Sequence, residues 1–371
     1  MKIAMIVNSY PPRVGGLEQH LQNLAMGLGR LGNDVTVMTI SEEPSSREDG
    51  HVRVLTGRAH FPIAGVISFP SLGTTRRLTR FLESQKFDVV SVHTRFFPMS
   101  FVGHNAAHRA GLPVIHTEHG SGHVSSASPI VSLGSRAVDN TLGRFVLSSS
   151  ERVLGVSEEA TVFAGSLGAS NPQVFYNAIS PRISPPNVVD RPNHLVFVGR
   201  IVPGKGWETF LETVAALRLK GLDVQGSVLG DGVDLSRAKQ LIETLGLDSN
   251  VELLGRVSSD EVRRQISGST LVNPTVLSEG FQTTLLEALA EGGRVVTFEV
   301  PGAALLRSQG MPVMITKEKT TESLITALEM LINDPPSLAS EESISHWTWD
   351  VRAAEYSRIV KEVLESFKSF S

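Results

Sequence analysis

Two glutamates lie close together in the second half of the chain, and carboxylates at this spacing can bind hydroxyl groups. Glu279 is expected in the loop after a predicted strand at Thr270–Asn273, and Glu287 falls about two turns later on the same side of the next helix. One carboxylate can then hold a sugar near a reacting centre while the other binds ribose hydroxyls. The alternative is a capping glutamate followed by a surface glutamate. Glu287 lies within the apolar run 285–290, however, where an idle carboxylate is unusual.

Two cations follow another predicted strand. Arg200 and Lys205 come after the strand His194–Val198, between Gly199 and Gly206. Ligands of α/β proteins bind at the carboxyl ends of parallel strands, and positive charge there neutralises the charge that grows on a diphosphate leaving group. A solvated basic turn is the alternative. We favour phosphate binding, because glycines on both sides allow a close approach of the backbone.

A glycine pair near the N-terminus is a weaker candidate for anion binding. Gly15 and Gly16 separate the predicted strand Lys2–Val7 from a helix at Leu17–Leu31. Backbone amides at a helix N-terminus attract negative charge, so the pair can contact a phosphate. A plain tight turn explains the same residues, and the three-glycine dinucleotide fingerprint is not present.

Histidines are concentrated in the first half of the chain. His93 ends a predicted strand, and His116, His119 and His123 fall in or after the next one. Their spacing matches no standard metal site and the chain contains no cysteine, so we expect no metal. His119 precedes a glycine and can lie over a bound sugar or orient an acceptor, whereas His93 can simply be a hydrogen-bonded residue at a strand end.

Composition excludes several classes of protein. The absence of cysteine rules out disulfides, thiolate catalysis and cysteine-ligated zinc. The net charge of -4 argues against a nucleic-acid partner, which requires a basic surface. The apolar run Ile3–Val7 is too short for a signal peptide, and no stretch reaches the roughly 18 apolar residues that span a bilayer. We therefore expect a cytoplasmic protein.

Strand patterns alternate with helical patterns along the 371 residues, which predicts an α/β fold with parallel sheets covered by helices. A chain this long exceeds one ordinary core, and the prolines of 180–194 indicate a linker. We predict domains at 1–180 and 181–350, with a helix in 351–371 that packs back on the first domain. The predicted strands are Lys2–Val7, Asp34–Ile40, Val52–Leu55, Val89–His93, Val114–Thr117 and Arg152–Val156, then His194–Val198, Val224–Gly230, Val251–Leu254, Thr270–Asn273, Arg294–Phe298 and Val313–Ile315.

Taken together, these segments resemble the retaining glycosyltransferases of family 4. The resemblance covers almost the whole chain and keeps the family's motif order. It rests on Gly15-Gly16-Leu17-Glu18, Thr117-Glu118-His119-Gly120, Phe175-Tyr176-Asn177, the pair Arg200 and Lys205, and the pair Glu279 and Glu287. The fold that it implies is GT-B, in which two Rossmann-like domains face each other across a cleft. The paired glutamates are the family's most specific signature.

The resemblance implies that a sugar passes from a nucleotide-sugar donor to a hydroxyl acceptor. Arg200 and Lys205 would bind the diphosphate, Glu279 and His119 would lie at the donor sugar, and Glu287 would bind the ribose. Retention in this family is usually explained without a protein nucleophile, so electrostatic stabilisation of the leaving nucleotide is the main catalytic effect. The sequence has no Asp-x-Asp triplet, so no metal-bridged diphosphate is expected. Further donor contacts would come from Gly15, Gly16, Gly199, Phe281, Gln282 and Thr283, the last three through backbone amides.

The acceptor is expected on the first domain, with Glu18, His93, Arg95 and His123 as tentative contacts. The helical pattern 71–86 also carries a row of basic residues, namely Arg76, Arg77 and Arg80. Such a helix can lie on anionic lipid, which allows peripheral association with the inner face of a membrane. A solvated face of an ordinary packing helix is the alternative.

Two positions depart from the family's pattern. Gln282 stands where a glycine often follows the Glu-Gly-Phe step, which leaves the sugar identity open. Ala178 follows Asn177 in place of the usual glycine, and Ser180 replaces a common aspartate. Two other functions remain alternatives: a nucleotide-sugar epimerase or hydrolase of the same shape, and a nucleotide-sugar binding protein without catalysis.

Overall fold

The computed structural model describes residues 1–13, 15–63, 67–123, 129–182, 188–277 and 280–370. The chain divides into two compact units. Unit 1 contains Met1–Ala178 together with Trp349–Ser371, and unit 2 contains Ile179–Thr348. Each unit is built around its own β-sheet. No helix among these residues is long and apolar enough to cross a membrane.

Unit 1 is built on a nine-stranded sheet in the order β3-β4-β2-β1-β6-β7-β8-β9, with β5 paired to β4. Among the described strands of this sheet, β3 and β5 run antiparallel to their neighbour and the others pair in parallel. Its strands are β1 (Lys2–Ile6), β2 (Asp34–Ser41), β3 (Ser45–Asp49), β4 (Val52–Ile63), β5 (Ile67–Pro70), β6 (Val89–His93), β7 (Val114–Glu118), β8 (Arg152–Gly155) and β9 (Gln173–Val174).

Helices cover both faces of this sheet, because its central strands are apolar on both sides. The helices of unit 1 are α1 (Gly16–Arg30), α2 (Thr74–Gln85), α3 (Pro98–Arg109), α4 (Pro129–Val138), α5 (Arg144–Ser148), α6 (Glu158–Ser166) and α14 (Trp349–Phe370), with a π-helical turn at Asp139–Gly143 between α4 and α5. Leu21, Leu24 and Leu28 recur at helical spacing on α1 and are fully buried. The C-terminal helix α14 packs on α1, where Gly27 and Ala353 meet.

Unit 2 has a six-stranded parallel sheet in the order β12-β11-β10-β13-β14-β15. Its strands are β10 (His194–Val198), β11 (Gln225–Leu229), β12 (Val251–Gly255), β13 (Thr270–Asn273), β14 (Arg294–Thr297) and β15 (Val313–Ile315). Its helices are α7 (Trp207–Leu219), α8 (Leu235–Thr244), α9 (Ser259–Ile266), α10 (Thr283–Ala290), α11 (Ala303–Ser308), α12 (Thr321–Asn333) and α13 (Glu341–Ser345).

Both sheets reverse their strand order at one place. In unit 1 the reversal lies between β1 and β6, and in unit 2 it lies between β10 and β13. The connections that leave the two strands at such a point run to opposite faces of the sheet and open a crevice at the carboxyl ends, where ligands of open α/β sheets bind. The loops after these four strands are therefore the place to look for a site in each unit.

The twelve predicted strands all occur, within two residues of their predicted bounds at most ends. The clear exception is β4, which continues to Ile63 rather than ending at Leu55. Residues 56–58 continue the pairing with β2, and residues 59–63 extend beyond the core and pair with β5 as a hairpin, so this part of the strand mixes polar and apolar side chains. Strands β3, β5 and β9 lie at the edges of the sheet and lack the apolar runs that identified the others.

Candidate active site

In unit 2 the loop after β10 is hydrogen-bonded to the loop after β13. The Gly204 carbonyl accepts a hydrogen bond from the amide of Val276 at 2.9 Å. Gly204 and Gly206 have left-handed φ values of 83° and 87°. A Cβ at Gly206 would lie 2.3 Å from the Pro274 carbonyl oxygen. Because only glycine permits this approach, Lys205 is held beside the loop that follows β13.

Arg200 lies at the carboxyl end of β10, next to Gly199. The Gly199 amide donates to the Leu229 carbonyl at 3.0 Å. A Cβ at Gly230 would lie 1.8 Å from the Gly199 oxygen, so the ends of β10 and β11 come into backbone contact. The Arg200 side chain is exposed and forms no ion pair with any residue that the structure describes. Its charge is available to an anion at this edge of the sheet.

Glu287 is a partly buried carboxylate on α10. Burial raises its pKa, the charge of Arg263 opposes that shift, and the charge of Glu291 adds to it. Arg263 is already paired with Glu291 at 2.6 Å and donates to the Pro181 carbonyl at 2.7 Å. Within the described part of the chain the Glu287 carboxylate has no hydrogen-bond or ion-pair partner. A desolvated acceptor of this kind is satisfied when ligand hydroxyls donate to it.

Gln282 precedes α10 and presents an unused hydrogen-bond donor. Its Oε1 accepts from Asn273 Nδ2 at 2.7 Å, and the same Nδ2 donates to Thr297 Oγ1 at 3.0 Å. The Gln282 Nε2 is buried and has no partner among the residues described. Asn273 is the last residue of β13, so this amide lies at the carboxyl edge of the sheet. A ligand oxygen could satisfy it.

Phe281 has a packing role through its side chain. Its ring stacks on Trp347 with centroids 5.4 Å apart and is 5% exposed. A Cβ at Gly302 would lie 2.4 Å from the same ring. Only the backbone of Phe281 is therefore open to a ligand, and Thr283 follows as the first residue of α10. Glu279 lies outside the described residues, so its predicted position stays a prediction.

A cluster of histidines occupies the corresponding edge of unit 1. His93 Nδ1 and His119 Nε2 are 3.2 Å apart, and the His20 ring meets the His119 ring edge-on with centroids 4.6 Å apart. His20 Nδ1 lies 2.7 Å from Asn177 Oδ1. An amide oxygen only accepts, so the ring proton is on Nδ1. His20 Nε2 is then an acceptor, buried and without a partner in the described part of unit 1.

The cluster is neutral near pH 7. Burial lowers the pKa of His20 to about 4. Burial and the neighbouring imidazoles lower the pKa of His93 and His119 well below the usual range. His93 Nε2 lies 3.0 Å from Ser91 Oγ, which in turn lies 2.7 Å from the Tyr356 hydroxyl. The imidazole of His119 is thus positioned as a neutral hydrogen-bonding group.

Beside this cluster lies an ionic network whose central residues, Arg95, Glu118 and Asp139, are completely buried. Arg95 Nη1 donates to Glu118 at 2.8 Å, and its Nε lies 2.9 Å from Asp139. Burial favours the neutral acid, but the hydrogen bond from His116 and the charge of Arg95 outweigh it and lower the pKa of Glu118 to about 2. His123 Nδ1 contacts the other oxygen of Asp139 at 2.6 Å.

Two of the predicted acceptor contacts, Arg95 and His123, belong to this network, and their role at an acceptor stays a prediction. The two Nη atoms of Arg95 donate to Glu118, Asp139 and the Gly122 carbonyl, and His123 contacts Asp139. Glu118 also accepts hydrogen bonds from the amides of His119 and Gly120, at 3.0 and 2.8 Å. The network therefore holds the loop that carries His119 in place.

The glycine pair at α1 sits against a carboxylate. Glu18 Oε1 accepts from the Ser9 hydroxyl at 2.6 Å and lies 3.5 Å from Arg13. A Cβ at Gly15 would lie 2.3 Å from Glu18 Oε2, whereas Gly16 faces open space. The positive end of α1 is thus partly satisfied by its own glutamate, which disfavours a second anion there.

Three histidines could also hold a metal ion. The ring nitrogens of His20, His93 and His119 lie within 4.8 Å of one another. Neutral imidazole is the metal-binding form, and three such ligands are typical of a zinc site with an open position. His20 and His93 already use their other nitrogens on Asn177 and Ser91, as ligating histidines commonly do. The expected absence of a metal stays a prediction.

The fold, together with the residues at the carboxyl edges of the two sheets, defines a class of protein. The chain matches the glycosyltransferase family 4 model over residues 14–182 and the glycosyl transferases group 1 model over residues 192–334. HepE from Anabaena, in complex with UDP, has a TM-score of 0.70 at 18% identity, with 100% of this chain and 99% of that chain covered. Sucrose-phosphate synthase from Thermosynechococcus elongatus has a TM-score of 0.74 at 17% identity, with 98% and 99% covered. The fold is that of the GT-B glycosyltransferases.

A curated relative extends the match across the sequence. The phosphatidylinositol N-acetylglucosaminyltransferase GPI3 subunit from Saccharomyces cerevisiae is 26% identical over 363 residues, which cover 93% of this chain and 78% of the relative. With both family models matched in order, the chain belongs to glycosyltransferase family 4.

The sequence patterns did not identify several residues of these networks as candidate site residues. His20 falls at helical spacing with Leu17, Leu21 and Leu24, so an interior histidine was detectable from the apolar stripe of α1. Asp139 carries no such signal, because its partners Arg95 and His123 lie 44 and 16 residues away. Tyr356 reaches Ser91 across 265 residues, which no local pattern encodes.

Proposed function

We propose that this family 4 glycosyltransferase transfers a sugar from a nucleoside-diphosphate sugar to a hydroxyl acceptor with retention of the anomeric configuration, and without a metal. The observation that carries the proposal is the placement of Lys205 by the contact between the loops after β10 and β13. Arg200 stands at the end of the same strand β10, and Glu287 follows on α10. These are the parts needed to bind a diphosphate and a ribose.

Cations at this edge act on the leaving group. In the reaction the bond between the sugar anomeric carbon and the diphosphate oxygen breaks, and negative charge grows on the β-phosphate. Arg200 and Lys205 stabilise that charge most strongly in the transition state, which is the interaction that accelerates a reaction. They also perform the charge neutralisation that a metal ion performs elsewhere.

Glu287 and Gln282 would recognise other parts of the donor. The Glu287 carboxylate accepts hydrogen bonds from the ribose hydroxyls, which relieves its desolvation. The unpaired Nε2 of Gln282 donates to a sugar or phosphate oxygen. UDP is the nucleotide named for the similar HepE structure, so UDP-sugars are the first donors to test.

In this mechanism the acceptor hydroxyl is the nucleophile, and no protein side chain acts as the base that takes its proton. We propose that it attacks the anomeric carbon from the face of the departing diphosphate, and that its proton passes to a diphosphate oxygen. A new carbon–oxygen bond forms on the same face as the broken one, so the configuration is retained. His119, neutral at pH 7, donates or accepts a hydrogen bond at the sugar and carries no charge.

The experiment is a donor screen followed by product analysis. Purified protein is incubated with UDP-, GDP- and ADP-sugars, and nucleotide release is measured with and without hydroxyl acceptors. We expect one donor to show slow release that an acceptor accelerates, and NMR of the product to show the donor's anomeric configuration. A changed sugar on an intact nucleotide would indicate an epimerase. Binding without release under every acceptor would indicate a binding protein, and inversion would contradict the retaining mechanism.

A further inference from the structure

Unit 1 contains a large cavity separate from the histidine cluster. Its volume is about 1130 Å³, slightly above the usual range for small-molecule sites. It is bounded by the hairpin of β4 and β5, the N-terminal turns of α2 and α3, and the helical segment around 134–142. These elements come from four separate parts of unit 1.

The walls of this cavity are predominantly apolar. Phe69 and Ile67 come from β5, Phe101 and Val102 from α3, and Val138 from α4. Among the described residues that line the cavity, the only permanent charge is that of Arg95, which is neutralised by Glu118 and Asp139. The other polar lining groups are small hydroxyls and one histidine. Such a surface is unfavourable for a free sugar, because the sugar hydroxyls would lose their hydrogen bonds to water without forming new ones.

The rim of the cavity exposes large apolar side chains to solvent. Leu72 is 98% exposed, Phe61 is 79% exposed, and Leu142 is 44% exposed. Scattered exposed apolar residues are ordinary, but a group of them around one apolar cavity marks a binding surface. The hydrophobic effect here favours a long apolar ligand that covers both the walls and the rim.

A second, smaller cavity adjoins the first and has the opposite character. It has a volume of about 430 Å³ and shares Ser71 and Thr74 with the apolar cavity. Arg58 and Arg77 line it, and both are exposed. Neither forms an ion pair with any residue that the structure describes. Positive charge directly beside an apolar cavity complements a molecule with an anionic head and a hydrocarbon chain.

The apolar cavity is also connected to the histidine cluster through one residue. Arg95 lines the cavity, and its partner Glu118 holds the backbone amides of His119 and Gly120. A ligand chain in the cavity therefore lies against the same network that positions His119. This connection places the chain next to the edge of unit 1 at which the acceptor hydroxyl is expected.

We propose that the acceptor is an anionic amphiphile, whose hydrocarbon chain occupies the apolar cavity of unit 1 and whose anionic head lies near Arg58 and Arg77. The role of this amphiphile as the acceptor rests on the proposed transferase function, whereas its binding to unit 1 does not require a donor. A single molecule with a hydrocarbon chain and an anionic head matches the apolar cavity and the adjoining Arg58 and Arg77 together, which is why we favour an amphiphile over a second copy of the chain.

Alkyl phosphates test the proposal directly. Hexyl and decyl phosphate are titrated into the full chain by calorimetry, below their critical micelle concentrations and with no donor present. Each buried methylene contributes roughly 0.8 kcal/mol, or about fourfold in Kd, so decyl phosphate should bind on the order of a hundredfold more tightly than hexyl phosphate. Equal affinity for the two chains would overturn the proposal.

Gly134 provides a matched pair of variants for the chain. It lies on α4 in the cavity wall, and a Cβ there would meet nothing within 4 Å. Gly134→Leu adds bulk where the cavity is open and improves helix propensity, so the fold is preserved. We expect Gly134→Leu to weaken decyl phosphate about tenfold, and Gly134→Ala to leave it nearly unchanged. Leu72→Glu, at the exposed rim, should also weaken it; decyl phosphate affinity unchanged in both Gly134→Leu and Leu72→Glu would refute the assignment of the chain.

Arg77 tests the anionic head. Arg77→Gln should weaken decyl phosphate several-fold and leave the neutral decyl maltoside unaffected, while Arg109→Gln, an exposed cation on α3 that lines neither cavity, should change neither. Equal losses for both ligands in Arg77→Gln would contradict the head-group assignment. Concentration-dependent dimerisation that Gly134→Leu abolishes would show that a second copy covers the cavity. Loss of nucleotide release with alkyl phosphate binding intact would count against the transferase function alone.

Discussion

The amide of Val276 donates a hydrogen bond to the carbonyl of Gly204 at 2.9 Å, which joins the loops that leave β10 and β13. The two strands are neighbours in the sheet, with Leu195 opposite Thr270. The contact lies at the point where the strand order reverses. Because it joins backbone atoms, the main chain at Lys205 is positioned without any side-chain interaction. The next residue, Gly206, leaves no room for a Cβ beside the Pro274 carbonyl.

Substituting Gly206 with alanine should separate the two loops. The new Cβ would lie 2.3 Å from the Pro274 carbonyl oxygen, and φ is 87°. We expect a loss of about 3 kcal/mol or more in the free energy of unfolding, together with weaker donor binding, as measured by urea denaturation and calorimetry. Gly221 has a φ of 86° but open space around it, so Gly221→Ala should cost only about 1–2 kcal/mol. Equal costs would mean that the steric contact has no role.

Removing either cation should slow the reaction more than it weakens donor binding. In the proposed mechanism Arg200→Ala and Lys205→Ala each remove charge that stabilises the leaving diphosphate, so we expect kcat to fall by about 10²–10³ with a smaller change in donor Kd. Lys239→Ala on α8, which removes an exposed lysine of the same unit, is the control. If kcat is unchanged and only the Kd rises, the two residues bind the ground state and do not stabilise the transition state.

Glu287→Gln should have opposite effects on donor binding and on stability. The amide cannot accept the ribose hydrogen bonds as strongly, so donor affinity should fall by about tenfold or more. Burial raises the pKa of Glu287 in the folded protein, so its charged form destabilises the fold above that pKa. The variant without donor should therefore gain stability at pH 7 relative to the parent and lose this advantage as the pH falls toward the ordinary glutamate pKa of 4.5. Glu243→Gln, on the exposed face of α8, should show neither effect; donor affinity unchanged in Glu287→Gln would exclude the ribose contact.

Arg95→Met should strongly destabilise unit 1. It leaves Glu118 and Asp139 buried without their cation, which costs about 3–5 kcal/mol at pH 7. The pKa of Glu118 is lowered from 4.5 to about 2, so its contribution to stability is complete above pH 4.5 and is lost as the pH falls toward 2. Urea unfolding should show the deficit of the variant shrinking over that range. Arg109→Met, an exposed change in the same unit, should stay within about 0.5 kcal/mol of the parent.

Removing metals should leave activity intact. In the proposed mechanism Arg200 and Lys205 supply the positive charge that the diphosphate needs, so dialysis against EDTA should not change kcat. Elemental analysis of the purified protein should also find no stoichiometric zinc. A loss of activity that zinc restores, and that His20→Gln abolishes, would instead identify His20, His93 and His119 as metal ligands. His346→Gln, in the other unit, is the control for the histidine substitution.

Local patterns in the sequence determined much of this protein. Apolar runs at the central strands and the helical spacing of Leu21, Leu24 and Leu28 encode elements that are buried on both sides or on one face. Glycines and cations placed directly after such strands predicted an anion-binding site at the carboxyl edge of the second sheet before any strand order was known. These features are local, because each depends on the hydrophobic period or turn chemistry of a few consecutive residues.

Only the tertiary structure decided which of these residues work together. The strand order brought β10 beside β13, and the fold placed Arg95, a tentative acceptor contact, as a buried cation between acids 23 and 44 residues away. His20 is hydrogen-bonded to Asn177, which lies 157 residues away in the sequence. The apolar cavity is formed by segments of unit 1 that have no common sequence pattern. The physical reason is that charge pairing and cavity shape depend on distance in space, whereas periodicity reports only neighbours along the chain.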